Sequence, residues 1–403
     1  MTNKRTILVL LGILVSFSGI AQDYPSDYLS PAFHADRRAA VKKQLSDKGV
    51  GIFFAGQTRQ RSNDTEFQYA QNKNFYYLTG LNEPNAVLLL FKQPVSLLGK
   101  TGTEFIFIQN RDPFKELWTG KILGVDGFRE QSKMENIFIN DQFKANILPM
   151  AGIDSVYSLF RSEGIIQKFK GKEEALTRMA STVDSLITST NKPLAARSTL
   201  AIMRNLRGIK TPEEIALIRK AASISVLGHN DVMRAVKPGM KEFQAQAIME
   251  YHFKTNGSEY PGYPSIVGAA ENACVLHYID NALTCKDGDI LLLDVGASYA
   301  NYNADMTRTI PVNGRFTKRQ KQVYEAVHDV LNFATQIMTS GTYWVDYQKE
   351  VEKYMESKLI DLGLFTRNDV EKQDKHQPLF KKYFMHGVAH HLGIDVHDVW
   401  DKY

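Results

Sequence analysis

The sequence predicts an α+β protein of two domains, and three observations carry that prediction. The chain is 403 residues long, more than one ordinary domain holds. Its first half carries short runs of β-branched and aromatic residues spaced as strands. Its second half mixes such runs with long, capped helical patterns, which reads as strands flanked by helices; no fixed period marks a repeat array. Hydrophobic residues make up 43% and charged residues 23%, which is globular rather than disordered. The formal charge of +5, from 49 basic and 44 acidic residues, is too weak and too dispersed to argue for a nucleic-acid partner.

The chain starts with Lys4 and Arg5, an apolar run from Ile7 to Val15, and small residues before Gln22. That order predicts a secretory signal peptide over 1–21, cut after Ala21. The protein is then exported, periplasmic or secreted, with no membrane contact after cleavage; the run is short for a membrane span. Beyond it, 34–48 reads as a polar helix. Strands are expected over 49–55, 75–79, 86–91 and 104–109. A helix is expected over 171–188. The polar stretch 189–205 is expected to divide a first domain, 30–200, from a second, 205–403. Cys274 and Cys285 are the only cysteines, too few for a disulfide scaffold, and two buried thiols are expected.

The second domain opens on Thr211-Pro212-Glu213-Glu214. This offers a capping hydroxyl, Pro at the first helical position and Glu at the third. Ile215, Ile218, Ala222 and Val226 then mark an apolar face. Pro238-Gly239 ends the helix, and 241–255 reads as another. Strands and loops follow from Pro261. Further helices are expected over 318–339 and 344–362, before a histidine-rich end.

Three features carry chemistry. The apolar strand 290–297 includes Asp294, and Asp305 follows eleven residues later. Gly296–Asn301 can turn the chain, so the two runs are expected to pair as a hairpin. Opposed side chains on one face of such a pair lie about 5 Å apart at Cβ. Two ionised carboxylates that close repel. One must be neutralised, or cations must sit between them, and a divalent metal uses such hard oxygens. The competing structural reading has Asp294 capping a turn and Asp305 paired with Arg308. The second feature is 384–398, which holds four of the ten histidines: His386, His390, His391 and His397. His386 and His390 would share a helix face. Gly387, however, stands where a zinc-protease helix carries its glutamate, so Gly387 and Gly393 point to a turning loop instead. The third is His277, expected at the end of a short apolar strand; alone it reads as structural.

Together these residues resemble the metal-dependent aminopeptidase P and prolidase family, whose catalytic domain has the pita-bread fold. Arg61-Ser62-Asn63-Asp64 and the run Gln71 to Gly80, followed by Asn82-Glu83-Pro84, are similar to the aminopeptidase P N-terminal domain. Leu293-Asp294-Val295-Gly296, Asp305-Met306-Thr307-Arg308-Thr309 and His386-Gly387-Val388-Ala389-His390 are similar to the catalytic motifs. The resemblance implies an N-terminal α/β domain followed by a pita-bread domain whose last strands are missing. It implies two divalent ions, Mn2+ in kind, held by Asp294, Asp305, His390 and two glutamates, with Asp305 bridging. It implies that His277 and His397 hold substrate and transition state and that His386 lines the same pocket. Trp118 matches an aromatic that reaches a neighbouring subunit's site, which implies a homo-oligomer. The implied substrates are peptides with proline second, cleaved after the first residue by a shared water whose proton a glutamate takes. The two glutamates would lie on later strands, but the sequence stops at Tyr403, six residues past His397. A fragment or a truncated chain, with three of five ligands, is therefore expected. The alternatives are an X-Pro dipeptidase or, for a truly truncated chain, a metal-free binding module.

Overall fold

The computed structural model describes residues 27–165, 174–374 and 376–399. The signal peptide expected at 1–21 lies outside the described residues.

Helix α1 (Pro31–Gln44) starts where Ser30 Oγ accepts the Phe33 amide at 3.2 Å and Pro31 presets the first turn. Strand β1 (Gly49–Phe54) is buried along its whole length. An exposed two-stranded hairpin follows, β2 (Gln60–Ser62) and β3 (Thr65–Glu66).

The strand expected over 75–79 is instead helix α2 (Lys73–Thr79). Asn72 Oδ1 caps it by accepting the Phe75 amide at 3.0 Å, and Gly80 ends it at φ 69°. Phe75 to Thr79 are buried all round, so the apolar run has no solvent face and shows no helical period. The strands expected over 86–91 and 104–109 are β4 (Val87–Leu97) and β5 (Lys100–Ile108), which pair as a hairpin. Helices α3 (Pro113–Thr119) and α4 (Gly124–Ser132) lead to β6 (Ile137–Ile139) and β7 (Ser155–Tyr157). The sheet order is β6-β5-β4-β1-β7, antiparallel in the middle and parallel at both edges.

Helix α5 (Ala175–Thr190) covers most of its expected span. The boundary expected between 200 and 205 falls inside α6 (Ala196–Gly208). Buried Thr199, Ile202, Met203 and Arg207 recur at helical spacing there; the polar residues between them hid the pattern. In the second domain α7 (Pro212–Ala235) carries the expected cap. Thr211 N donates to Glu214 Oε2 at 2.9 Å, and Glu214 N donates to Thr211 Oγ1 at 3.3 Å. It packs on α8 (Glu242–Thr255).

Strands β8 (Tyr260–Pro261), β9 (Ile266–Ala269), β10 (Ile290–Asp294), β11 (Ala297–Tyr299), β12 (Tyr302–Asn303) and β13 (Thr307–Pro311) make two small antiparallel sheets, β13-β10-β9 and β12-β11-β8. Helices α9 (Lys318–Ile337) and α10 (Trp344–Asp361) pack through their own apolar cluster, which includes Val330, Ala334, Tyr347 and Val351; α11 (Arg367–Lys372) follows. Both cysteines are free. Cys285 is buried, but Cys274 is exposed, because it closes a surface 3-10 turn over Ala270–Cys274 rather than sitting in a strand. Among the described residues no helix is long and apolar enough to cross a membrane.

Polar contacts join the two domains. Tyr77 O–H donates to the Leu206 carbonyl at 3.0 Å, and Lys73 Nζ donates to Asn301 Oδ1 at 3.1 Å.

The buried His34 lies with Nδ1 3.0 Å from the Tyr77 carbonyl. Burial lowers its pKa to about 4; the Tyr77 carbonyl works against this and the Arg38 charge adds to it. The folded chain therefore keeps His34 neutral where the unfolded chain would protonate it. This contribution is fully present above the unfolded pKa of about 6.5 and is lost as pH falls toward 4, a change of about 3 kcal/mol. Urea unfolding of wild type and His34→Gln at pH 7 and pH 4 should show the variant losing about 3 kcal/mol less across that window. Equal losses would contradict the assignment.

Candidate active site

The two aspartates meet, but not as a simple hairpin would bring them together. Strand β10 pairs directly with β13, and Asp294 faces Thr307 rather than Asp305. Between them the chain departs into the β11–β12 hairpin. Its turn is Ala300-Asn301, with φ of 50° and 67°, the left-handed pair a tight two-residue turn needs. The chain returns across Gly296: a Cβ there would collide with the Ala304 carbonyl oxygen, so only glycine lets Ala304–Asp305 pass over it. Helix α7 pins the crossing from below. Ser225 Oγ accepts the Ala297 amide at 2.9 Å. His229, which burial holds below its usual pKa, lies with Nε2 3.3 Å from the Val295 carbonyl.

The aspartates converge on Tyr263, a residue the sequence reading passed over. Its hydroxyl lies 2.7 Å from Asp294 Oδ1 and 3.3 Å from Asp305 Oδ1. One O–H serves two acceptors, and the two carboxylate oxygens lie within 6.0 Å of each other, the sum of those legs. Two full charges at that distance repel by on the order of 3 kcal/mol at an effective dielectric near 20. Burial, and then the two negative charges, push the Tyr263 pKa far up, so the phenol keeps its proton. The one signal in the sequence was Tyr260-Pro261-Gly262-Tyr263-Pro264, a backbone restricted by two prolines.

The other oxygen of Asp305, Oδ2, lies 3.0 Å from His390 Nε2. His390 Nδ1 sits 2.8 Å from the His391 carbonyl. The Asp305 hydrogen bond raises the His390 pKa; burial opposes this and the His391 carbonyl helps it. The alternative pairing of Asp305 with Arg308 is not made: Arg308 donates to the Thr307 carbonyl at 2.7 Å. His397 stacks on His390 at 4.0 Å between ring centroids. One ligand atom each from Asp305, His390 and His397 lie within 4.8 Å of one another.

The histidine segment is an irregular loop, as its glycines suggested. Gly393 lies hard against Asp398 and Lys210, whereas Gly387 has open space. His386 is exposed, with Nδ1 2.8 Å from the Gly387 carbonyl, and Phe384 packs edge-on to its ring. His277 corrects the strand expectation. Strand β9 ends at Ala269, and His277 lies in an exposed turn after the 3-10 segment. The loop bearing it is fastened by fully buried Glu242, which accepts from the Ala269 amide at 2.7 Å, Tyr278 O–H at 2.8 Å and the Leu283 amide at 2.8 Å. Trp118 is not a core residue; it stands 79% exposed on α3.

The residues present fit a divalent cation. Asp294 and Asp305 supply hard oxygens held together at an electrostatic cost, and His390 supplies an imidazole. His390 Nδ1 faces a backbone carbonyl, the arrangement that orients a ligating histidine and leaves Nε2 for the ion. Binding would displace the proton now shared between His390 and Asp305.

Comparisons with known proteins bear on both domains. Residues 34–157 match the family described as "Aminopeptidase P, N-terminal domain", and 216–403 match "Metallopeptidase family M24". The chain is 33% identical to the Xaa-Pro aminopeptidase of Escherichia coli over 376 residues, covering 90% of this chain and 80% of the relative. It is 29% identical to human Xaa-Pro aminopeptidase 3, covering 93% and 73%. Among solved structures it resembles aminopeptidase P from E. coli with the inhibitor Pro-Leu. That match has a TM-score of 0.78 at 32% identity, over 93% of this chain and 83% of the other. The zinc-substituted form of that enzyme in complex with product matches at the same TM-score.

Tyr263→Phe removes the proton shared by the carboxylates. It is expected to cost about 1 kcal/mol of metal-free stability and to weaken divalent-cation binding about 10-fold. Urea unfolding and calorimetric titration measure the two; unchanged affinity would contradict a positioning role for the phenol.

Proposed function

The chain belongs to the aminopeptidase P family, M24 metallopeptidases with an aminopeptidase P N-terminal domain and a pita-bread catalytic domain, and from that membership we propose that it is an Xaa-Pro aminopeptidase. It removes the first residue of peptides whose second residue is proline. The observation that carries this reading is the line of contacts from Asp294 through Tyr263 to Asp305 and on to His390, behind an N-terminal domain of the aminopeptidase P type.

In this reading Asp294, Asp305 and His390 are metal ligands, and the ions are two divalent cations, manganese by preference. Asp305 is suited to bridge them, because its two oxygens face different partners, Tyr263 and His390. Bound cations supply Lewis-acid activation of water and of the scissile carbonyl. The chain's own groups do the rest. Tyr263 holds the orientation of both carboxylates. His397, stacked on His390 beside the ligand cluster, is assigned to steady the developing oxyanion. His277 and His386, both on exposed loops, are assigned to the walls that hold the peptide. An X–Pro bond is a tertiary amide without an N–H, so a site that recognises the ring rather than an amide proton has a substrate niche of its own. Trp118, exposed on the N-terminal domain, is assigned to a neighbouring subunit's substrate in a homo-oligomer. The charged and then apolar start supports export to the periplasm or medium.

The test is release of free arginine from an Arg-Pro-Pro peptide by the full-length protein, with manganese and with chelator. Wild type is expected to cleave only with metal. Asp305→Ala is expected to retain about 1% of the rate or less, since losing even an outer partner of a ligand costs about 10–100-fold. Substantial cleavage by Asp305→Ala would reject the ligand assignment. Cleavage confined to Arg-Pro dipeptide would turn the reading toward a dipeptidase.

A further inference from the structure

Arg207 sits in the last turn of α6, outside the motifs of the sequence, yet it is 2% exposed, the largest fully buried side chain among the described residues. Its Nη1 donates to Asn74 Oδ1 on α2 of the N-terminal domain at 2.8 Å. Its Nη2 donates to Asp398 Oδ1 at 2.6 Å and also to Asp395. Lys210 Nζ closes the cluster on Asp398 Oδ2 at 2.8 Å. Both aspartates belong to the loop that carries the active-site histidines.

That loop has little secondary structure to hold it. Asp398 N donates to the His391 carbonyl at 3.0 Å, and Gly393 N to the Asp395 carbonyl at 3.0 Å. Asn303 grips it from the β12 side, donating from Nδ2 to the Ile394 carbonyl at 2.9 Å and from its amide to the Gly393 carbonyl at 3.0 Å. Asn303 precedes Asp305 by two residues. The loop is thus held between an amide anchored beside the carboxylates and a guanidinium anchored on the other domain.

We propose that Arg207 is a positioning residue that holds the His390–His397 loop in register with Asp294 and Asp305 and, through Asn74, ties that register to the docking of the N-terminal domain. The inference rests on the reading of His390 as a metal ligand. A planar fork suits the task, because it reaches three acceptors in two directions; a lysine ammonium carries the same charge without that geometry. A merely structural Arg207 would affect stability alone, whereas a positioning Arg207 also sets the geometry at the ions.

The experiment compares cobalt(II)-loaded full-length wild type and Arg207→Lys. It reads the visible cobalt spectrum, cobalt affinity by calorimetry, and kcat and KM on Arg-Pro-Pro. Folded Arg207→Lys is expected to show an altered cobalt spectrum, about 10-fold weaker cobalt binding, and a fall in kcat with KM little changed. A folded variant with the wild-type spectrum and affinity would overturn the proposal, whatever its melting temperature. If Arg207→Lys does not fold, Asp395→Asn decides. Asp395 is the more exposed end of the clamp, at 40%, and the same changes on a smaller scale are expected; an unchanged spectrum and affinity would again overturn the proposal. Wild type that binds cobalt but cleaves no such peptide would defeat the functional reading, leaving the cobalt comparison to decide this one.

Discussion

The site depends on a forced approach of two like charges. The pairing of β10 with β13 fixes Asp294 at a strand end. The inserted β11–β12 hairpin, crossing over Gly296, returns Asp305 to the same point. Helix α7 stiffens the crossing through Ser225 and His229. Each of these contacts is ordinary. Their sum holds two carboxylates closer than they would lie if free, and the packed sheets beneath them sustain that cost.

The molecule contains a second acidic pair, which it treats differently. Asp395 and Asp398 face the fixed charges of Arg207 and Lys210, so that cluster is balanced within the chain. Among the described residues Asp294 and Asp305 have no arginine or lysine partner; they have a phenol and an imidazole. A guanidinium stays charged at any working pH, but the proton on His390 can leave. One pair is neutralised by fixed charges of the chain. The other is left short of positive charge, which is the condition of a cation site.

Much of this was legible in the sequence. Asp294 stood out because a carboxylate is rare at the end of an apolar strand, Asp305 because it follows in a run able to pair with that strand, and the histidine loop because four imidazoles cluster beside two glycines. The Thr211 cap identified the start of α7. What failed did so for physical reasons. The run Phe75–Thr79 is a helix buried on all sides, which erases the period that would have revealed it. Helix α6 was hidden because its buried face includes Thr199 and Arg207, which a hydrophobic pattern does not register. Tyr263 and Arg207 act through contacts across 31 to 191 positions of sequence, and no local spacing encodes them.

The Asp294–Asp305 pair is strained without a cation and relieved by one. The most direct test is thermal unfolding of wild type and Asp294→Asn, in chelator and in manganese. Replacing one carboxylate by an amide should raise the metal-free melting temperature and abolish most of the manganese-induced rise seen in wild type. An Asp294→Asn protein that melts lower than wild type in chelator and still gains the full manganese shift would contradict the account.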